Sequence, residues 1–273
     1  MLKDITIGQY FPGKSAVHRL DARVKLVLTI AFIVEVFLAG NAVSMGLTIC
    51  AVITLMIVSR VSVRLYLKSL KSILPIIILT ALLNAFFAEG DILFKWGFLE
   101  LTQQGLIRAV YMAVRIMLLI LISSMLTYTT TPTALTDAIE SLLSPLKVFG
   151  LGGAVHSLAM MMTIALRFVP TLIEETDKIM SAQKARGADL ESGGLMRRIR
   201  ALLPILIPLL VSSFRRAADL AAAMECRCYT GSAGRTRMKR MHMVLGDYAA
   251  LVISAVFLTG IILLGVFLSG MII

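Results

Sequence analysis

The chain has 273 residues, of which 58% are hydrophobic and 16% are charged, and its mean hydropathy is +0.89. A soluble domain of this length does not need so high a fraction of hydrophobic residues to build its core. The formal charge is +11, but a basic nucleic-acid binder is far more polar and gathers its Lys and Arg on one face, so we expect no nucleic-acid partner. The composition favours an integral membrane protein whose basic loops lie on one side of the bilayer.

The first half of the chain contains four apolar segments close to the length that a helix needs to cross a bilayer. These segments cover residues 25–40, 42–59, 73–88 and 106–126. The basic stretch 60–71 predicts a cytoplasmic loop, and the acidic stretch 89–104, which contains the single Trp, predicts an external loop. Pro75 is expected in the first turns of the third segment, where its missing N–H costs least.

Two charged residues lie inside these apolar segments, away from their ends. Glu35 is in the first and Arg115 is in the fourth. Such residues face the protein interior or a water-filled path. Because two isolated charges make a poor translocation route, we predict that they form a structural pair.

Residues 130–245 differ in kind from the segments before them. Thr131-Pro132 is a typical helix start, with Thr as N-cap and Pro at the first position. Two long amphipathic helices are predicted, from about Ala154 to Arg186 and from about Leu195 to Cys226. The apolar parts 152–170 and 201–212 are not assigned as spans, because charges crowd the first and the second is short and contains two prolines.

A last apolar segment, 248–268, brings the predicted spans to five. With the N-terminus inside and the C-terminus outside, all basic loops lie on one side and only Lys95 falls in an outer loop. The predicted fold is therefore an all-α integral membrane protein with about five transmembrane helices and long cytoplasmic amphipathic helices. The expected parts are a cytoplasmic arm (1–24), transmembrane helices 1–4 (25–129), a cytoplasmic coupling-helix domain (130–245) and a C-terminal transmembrane helix (246–273).

Two short segments, each after a long predicted helix, place one arginine between small residues. They are Ala185-Arg186-Gly187 and Cys226-Arg227-Cys228. An Arg at a helix C-terminus can simply complement the helix dipole, with Gly187 as a left-handed cap. That explanation does not predict a second arginine-centred segment 41 residues further on. The alternative is that each arginine enters a narrow groove of a partner and binds carboxylates there with both arms of its guanidinium.

The sequence contains no residues that would support an enzyme. The stretch Gly8 to Ser15 matches the P-loop pattern, but a chance match is the better interpretation, because no βαβ series surrounds it. Three histidines are scattered, and Cys226 and Cys228 have neither redox nor zinc-knuckle spacing. We find no nucleophile elbow and no zinc-protease motif. We therefore expect no catalytic residues, no cofactor and no metal.

The same residues carry a resemblance to a known family. Gly8-Gln9-Tyr10, the stretch from His18 to Leu26, Thr131-Pro132, residues 165–170 and residues 182–187 are similar to its characteristic segments. The chain resembles the transmembrane T component of energy-coupling factor (ECF) transporters, the EcfT family, with its CbiQ- and BioN-like members. The resemblance runs nearly end to end, and the two arginine motifs are its most specific part.

The resemblance implies a non-catalytic subunit of an ABC-type importer in a prokaryotic cell membrane. Its partners would be two cytoplasmic ABC ATPases, of EcfA and EcfA′ type, and a small membrane S component that binds a vitamin or metal ion. Arg186 and Arg227 would each enter one ATPase. The second motif lacks the glycine of the commoner Ala-Arg-Gly form, which weakens the argument for the same cap geometry at both arginines.

The apolar faces of residues 154–173 and 195–212 are either ordinary core or an adaptable docking surface, and the sequence leaves both open. Under the resemblance they would carry the S component. The candidate contacts are Leu158, Met161, Met162, Ile205 and Leu209.

Two other functions remain open from the residues alone. One is a conventional ABC permease with its own substrate path, which would place polar residues along several spans, whereas this chain has few. The other is a membrane scaffold without a transport role.

Overall fold

The computed structural model describes residues 10–87, 91–96, 99–150, 152–188, 194–231 and 242–269. In these ranges the chain is α-helical apart from a 3₁₀ helix and a short β-hairpin, which confirms the predicted all-α class. Gly8 and Gln9, used above for the P-loop match and the family resemblance, lie outside the described residues.

The elements follow one another in simple order. The helices are α1 (Ala16–Arg19), α2 (Ala22–Leu38), α3 (Ala42–Ser59), α4 (Val63–Phe87), α5 (Gln103–Thr129), α6 (Pro132–Leu142), α7 (Gly152–Ala185), α8 (Leu195–Cys226) and α9 (Leu245–Ser269). The antiparallel strands β1 (Ile92–Trp96) and β2 (Leu99–Thr102) join α4 to α5, where a loop was expected, and the 3₁₀ helix covers Ser144–Phe149.

The described chain divides into two compact units. The larger unit lies within Gln9–Leu135 and Arg240–Ile273, and the smaller unit lies within Thr136–Lys239. The larger unit therefore contains α1 to α5 and α9, and the smaller unit contains most of α6, the 3₁₀ helix, α7 and α8.

Side-chain caps explain where two helices begin. The Thr102 hydroxyl accepts a 3.1 Å hydrogen bond from the Gly105 N–H at the start of α5. The Thr131 hydroxyl accepts a 3.2 Å bond from the Ala134 N–H at the start of α6, as its sequence predicts. Each cap satisfies one of the amide groups that the first turn leaves free.

Gly105 also allows α5 to begin close to the end of α4. A Cβ at this position would lie 2.8 Å from the Ala85 carbonyl oxygen and 2.9 Å from the Asn84 carbonyl oxygen. Contacts that short to backbone atoms would force the two helices apart.

The start of α4 differs from the prediction. The helix begins at Val63, so Pro75 lies in its interior and the predicted loop 60–71 is mostly helical. The basic residues Arg64, Lys68 and Lys71 recur at spacings of four and three, which puts them on one face of the helix. A basic composition does not require an irregular backbone.

The core of the larger unit forms where α2, α3 and α5 meet. Its buried side chains include Phe32, Val36, Met45, Val52, Leu118 and Ile122. Many large apolar side chains on α3, α4 and α9 are instead exposed. An apolar exterior around a small buried core is typical of helices that face lipid.

Six of the described helices, α3, α4, α5, α7, α8 and α9, are long and apolar enough to cross a membrane. This supports a multi-pass membrane protein. The set includes α7 and α8, which the sequence analysis placed in the cytoplasm, and it omits α2, which has 17 residues. The cytoplasmic placement of α7 and α8 stays a prediction.

The predicted pair of Glu35 and Arg115 is wrong. Arg115 Nη2 donates to the Ala39 carbonyl oxygen at 3.2 Å. Glu35 is fully buried, and neither of its carboxylate oxygens has a hydrogen-bond partner among the described residues. Because α2 ends at Leu38, the Ala39 carbonyl lacks a helical partner and lies at the negative end of the helix dipole. The guanidinium binds this carbonyl, which charge matching alone did not predict.

A polar network joins distant parts of the larger unit. Lys25 Nζ donates to the carbonyl oxygens of His18 at 3.2 Å and Thr129 at 2.9 Å. Asp247, at the start of α9, accepts the Asp21 N–H at 2.8 Å. Residues that belong to the predicted N-terminal arm are thus bonded to the start of α9 and, through the buried Lys25, to the end of α5.

Candidate functional site

The arginine motifs lie at the ends of the two long helices of the smaller unit. Helix α7 has 34 residues and ends at Ala185, and α8 has 32 residues and ends at Cys226. The predicted bounds of both helices are confirmed to within two residues. We call residues 183–188 the first arginine end and residues 224–229 the second arginine end.

The first arginine end is closed by a Schellman cap. The Gly187 N–H donates to the Lys184 carbonyl at 3.0 Å, and the Ala188 N–H donates to the Gln183 carbonyl at 3.0 Å. Gly187 has φ of +84°, the left-handed conformation that this cap requires and that glycine adopts without strain. Arg186 is the last residue before the reversal, and its side chain is exposed.

The second arginine end has the same hydrogen bonds. The Cys228 N–H donates to the Glu225 carbonyl at 2.8 Å, and the Tyr229 N–H donates to the Met224 carbonyl at 3.1 Å. Cys228 has φ of +53°, so a non-glycine residue occupies the left-handed position. Arg227 is again the last residue before the reversal and is exposed. The missing glycine weakened the argument for a shared cap geometry, but both ends have that geometry, because a left-handed cysteine costs only about 1–2 kcal/mol.

Each arginine is thus exposed at the end of a helix with a matched backbone cap. A guanidinium offers five N–H donors in a planar fork and suits a carboxylate on a partner. Cys226 and Cys228, which flank the second arginine, are free thiols and are exposed. The geometry is consistent with dipole complementation at each end, but it also presents two equivalent binding groups.

Hydrogen bonds between described residues join helices α7 and α8. Arg216 Nη2 donates to Glu175 Oε2 at 2.8 Å. Gln183 Nε2 donates to the Pro204 carbonyl at 3.4 Å. That carbonyl is free because Pro208, four residues later, has no N–H to donate to it. The pairing order shows that the two helices run antiparallel where they meet.

The second arginine end has a different attachment. Tyr229 Oη and His156 Nε2 share a 3.4 Å hydrogen bond, and His156 Nδ1 lies 3.4 Å from Glu140 Oε1. The residue two positions after Arg227 is therefore tied to the first turns of α7 and, through His156, to α6.

An open apolar groove of about 370 Å³ lies between α7 and α8 on the side of the second arginine end. Its apolar lining includes Ile164, Phe168, Leu172, Ala217, Leu220 and Met224. Arg216 also borders the groove, next to its bond with Glu175.

The candidate contacts for the S component differ in how exposed their side chains are. Leu158 and Met161 are 46% and 59% exposed, and Met162 and Leu209 are half-buried. Ile205 is only 3% exposed, so its side chain is packed inside the protein and offers little surface to a partner. A larger set of exposed apolar side chains lies on α8, and all but the last fall within the apolar stretch 195–212 that the sequence predicts as a possible docking surface. These are Leu202, Leu203, Leu206, Ile207, Leu210, Val211 and Phe214.

The sequence did not identify these residues one by one, because a continuous apolar run has no period that separates the buried side of the helix from the exposed side. The exposed apolar side chains on α8 form the kind of patch that marks a protein or membrane contact.

Comparison with known proteins gives a consistent result. A family model described as "Cobalt transport protein" (CbiQ) matches residues 13–239, a range that includes both arginine ends. Three similar curated proteins carry the name "Energy-coupling factor transporter transmembrane protein EcfT". The protein of Ruminiclostridium cellulolyticum is 49% identical over 97% of this chain and 98% of its own length. Those of Thermosediminibacter oceani and Acidaminococcus fermentans are 47% and 48% identical over 96% and 98% of this chain, and over 98% and 96% of their own lengths.

Proposed function

The chain belongs to the EcfT (CbiQ) family of energy-coupling factor transporter transmembrane proteins, and from this premise we propose that Arg186 and Arg227 each dock into one of two cytoplasmic ABC ATPases. Membership makes it the T component of such a transporter rather than a conventional permease or a scaffold. In the proposed complex an S component that binds a vitamin or metal ion rests on the exposed apolar faces of α7 and α8. The chain itself carries no catalytic step.

The observation that carries this proposal is the match between the two helix ends. Two sequences that differ at the capping residue adopt the same Schellman hydrogen bonds and expose the arginine at the same position. Dipole complementation needs only a positive charge near the helix end. A shared groove geometry on two related ATPases would require the matched position as well.

The proposed mechanism uses the antiparallel helices as levers. ATP closes the ATPase pair and moves the docked arginine ends relative to each other. Since α7 and α8 are continuous for 34 and 32 residues, they transmit that motion over roughly 50 Å. The S component, resting on their apolar faces, is reoriented or released.

We further propose that residues 130–245 form the cytoplasmic coupling domain between the transmembrane regions 25–129 and 246–273. Helix α7 carries Arg167 together with the acidic cluster 174–177, and charges of this kind are costly in hydrocarbon. The basic face of α4 marks the same cytoplasmic side. The arm 1–24 and the N-terminus then lie inside and the C-terminus outside.

The test is charge reversal of each arginine in the co-expressed complex. Arg186→Glu and Arg227→Glu should each weaken co-purification of the ATPases by tenfold or more, because a buried interfacial charge pair that loses its partner costs about 2–5 kcal/mol. Arg215→Glu, an exposed arginine in the middle of α8, makes the same charge change and should leave assembly intact. If both motif variants assembled and transported like the parent, the proposed role of the arginines would be wrong.

A further inference from the structure

The ion pair between Glu175 and Arg216 occupies equivalent positions on the two helices. Arg186 lies 11 residues after Glu175, and Arg227 lies 11 residues after Arg216. Eleven residues make about three helical turns, so each member of the pair shares a face with its own arginine and lies about 16 Å from it along the axis. The pair is therefore equidistant from the two arginine ends.

The contact is well formed and only partly shielded. The Nη2–Oε2 distance is 2.8 Å, and the Arg216 and Glu175 side chains are 36% and 27% exposed. Ion pairs with this much solvent access contribute little to the stability of a fold. A role in holding the helices together would therefore be a weak explanation for it.

Fixing the register of the helices is a stronger explanation. The groove of about 370 Å³ beside the pair leaves α7 and α8 without close apolar packing there. Sliding one helix by a single residue would move its charge by about 1.5 Å and rotate it by roughly 100°. Such a slip breaks a directional bond between a guanidinium and a carboxylate, whereas an open apolar groove would resist it little.

We infer that Glu175 and Arg216 are a positioning pair that sets the register of α7 on α8 and thereby the separation of the two arginine ends. This role in transport rests on the proposed function. The register itself is a property of the smaller unit alone.

The inference can be tested by a distance measurement in the full chain. Ala182→Cys and Ala223→Cys place spin labels at matched exposed sites, each four residues before its arginine. The background replaces the native thiols by Cys50→Ser, Cys226→Ala and Cys228→Gly. Pulsed dipolar spectroscopy then gives the distribution of distances between the two ends. Glu175→Gln and Arg216→Gln should each widen it about twofold or more, and the reversed pair E175R/R216E should restore the narrow distribution.

Neighbouring residues supply matched controls. Glu174→Gln and Arg215→Gln change the same residue types at exposed positions and should leave the distribution unchanged. In the assembled transporter, Glu175→Gln should raise the ATP consumed per substrate molecule about two- to fivefold while the ATPases still co-purify. Restoration of this ratio by the reversed pair would separate positioning from general damage to the fold.

The inference is overturned if the neutral variants give the parent distribution, or if the reversed pair stays as broad as they are. These outcomes are independent of the docking role of the arginines. A widened distribution together with normal transport by the Arg186→Glu and Arg227→Glu variants would sink the proposed function and leave the positioning pair standing.

Discussion

At the first arginine end, glycine takes the left-handed position and Gln183 ties the last turn of α7 to the Pro204 carbonyl of α8. At the second, Cys228 takes that position and Tyr229 reaches His156 near the start of α7. The two Schellman hydrogen bonds are nonetheless the same at both ends. The helix end, and not the glycine, therefore determines how the arginine is presented. The surrounding side chains determine what each end is attached to.

The largest expected effect comes from proline substitutions that disrupt the cap at one arginine end and leave the other cap intact. Ala182→Pro and Ala223→Pro each insert proline near the end of one helix, at a cost of about 3 kcal/mol. Amide exchange should then accelerate about a hundredfold at Ala188 in the first variant and at Tyr229 in the second. Ala182→Ser and Ala223→Ser serve as controls. Loss of protection at both ends from either proline would show that the ends are not independent.

An intermediate effect comes from exchanging the residues at the left-handed position. Gly187→Cys should destabilise the first cap by about 1 kcal/mol, and Cys228→Gly should stabilise the second by a similar amount, because only glycine is unstrained at positive φ. The hydrogen-exchange rate of the capping amides should rise about fivefold in Gly187→Cys and fall about fivefold in Cys228→Gly. Equal changes of one sign would contradict the view that the two caps share one backbone geometry.

The smallest effect concerns the side-chain attachments. Gln183→Leu removes the bond to Pro204, and Tyr229→Phe removes the bond to His156. Both bonds are 3.4 Å long, so each loss should cost less than about 1 kcal/mol. Spin labels at the matched sites used above should report added motion at the altered end only. A response at the opposite end would mean that the attachments act through the whole helix pair.

Much of the helical frame was predictable from the sequence. The bounds of α3 were predicted to the residue, because Gly40-Asn41 and Arg60 delimit an uncharged, mostly apolar run. The ends of α7 and α8 followed from motifs that stop a helix. The start of α4 was missed, since its basic first turns resemble a loop in composition although their spacing is helical.

The side-chain hydrogen bonds that attach the two arginine ends to neighbouring helices could not be predicted from the sequence. His156 and Tyr229 are 73 residues apart, and no local pattern pairs them. The sequence did indicate one side of the Gln183 contact. Pro208 has no N–H, so the Pro204 carbonyl must lack its helical partner. Which donor would bind that carbonyl depends on how the helices cross. The prediction for Arg115 failed for a similar reason. Its partner is a free carbonyl at a helix end, and no residue type in the sequence identifies such a carbonyl.

The two sulfurs beside Arg227 give the second end a chemical identity that the first end lacks. Both thiols are exposed, and any protein that covers the guanidinium between them must also shield them. An alkylating reagent would therefore discriminate between occupied and vacant forms of one end without touching the other.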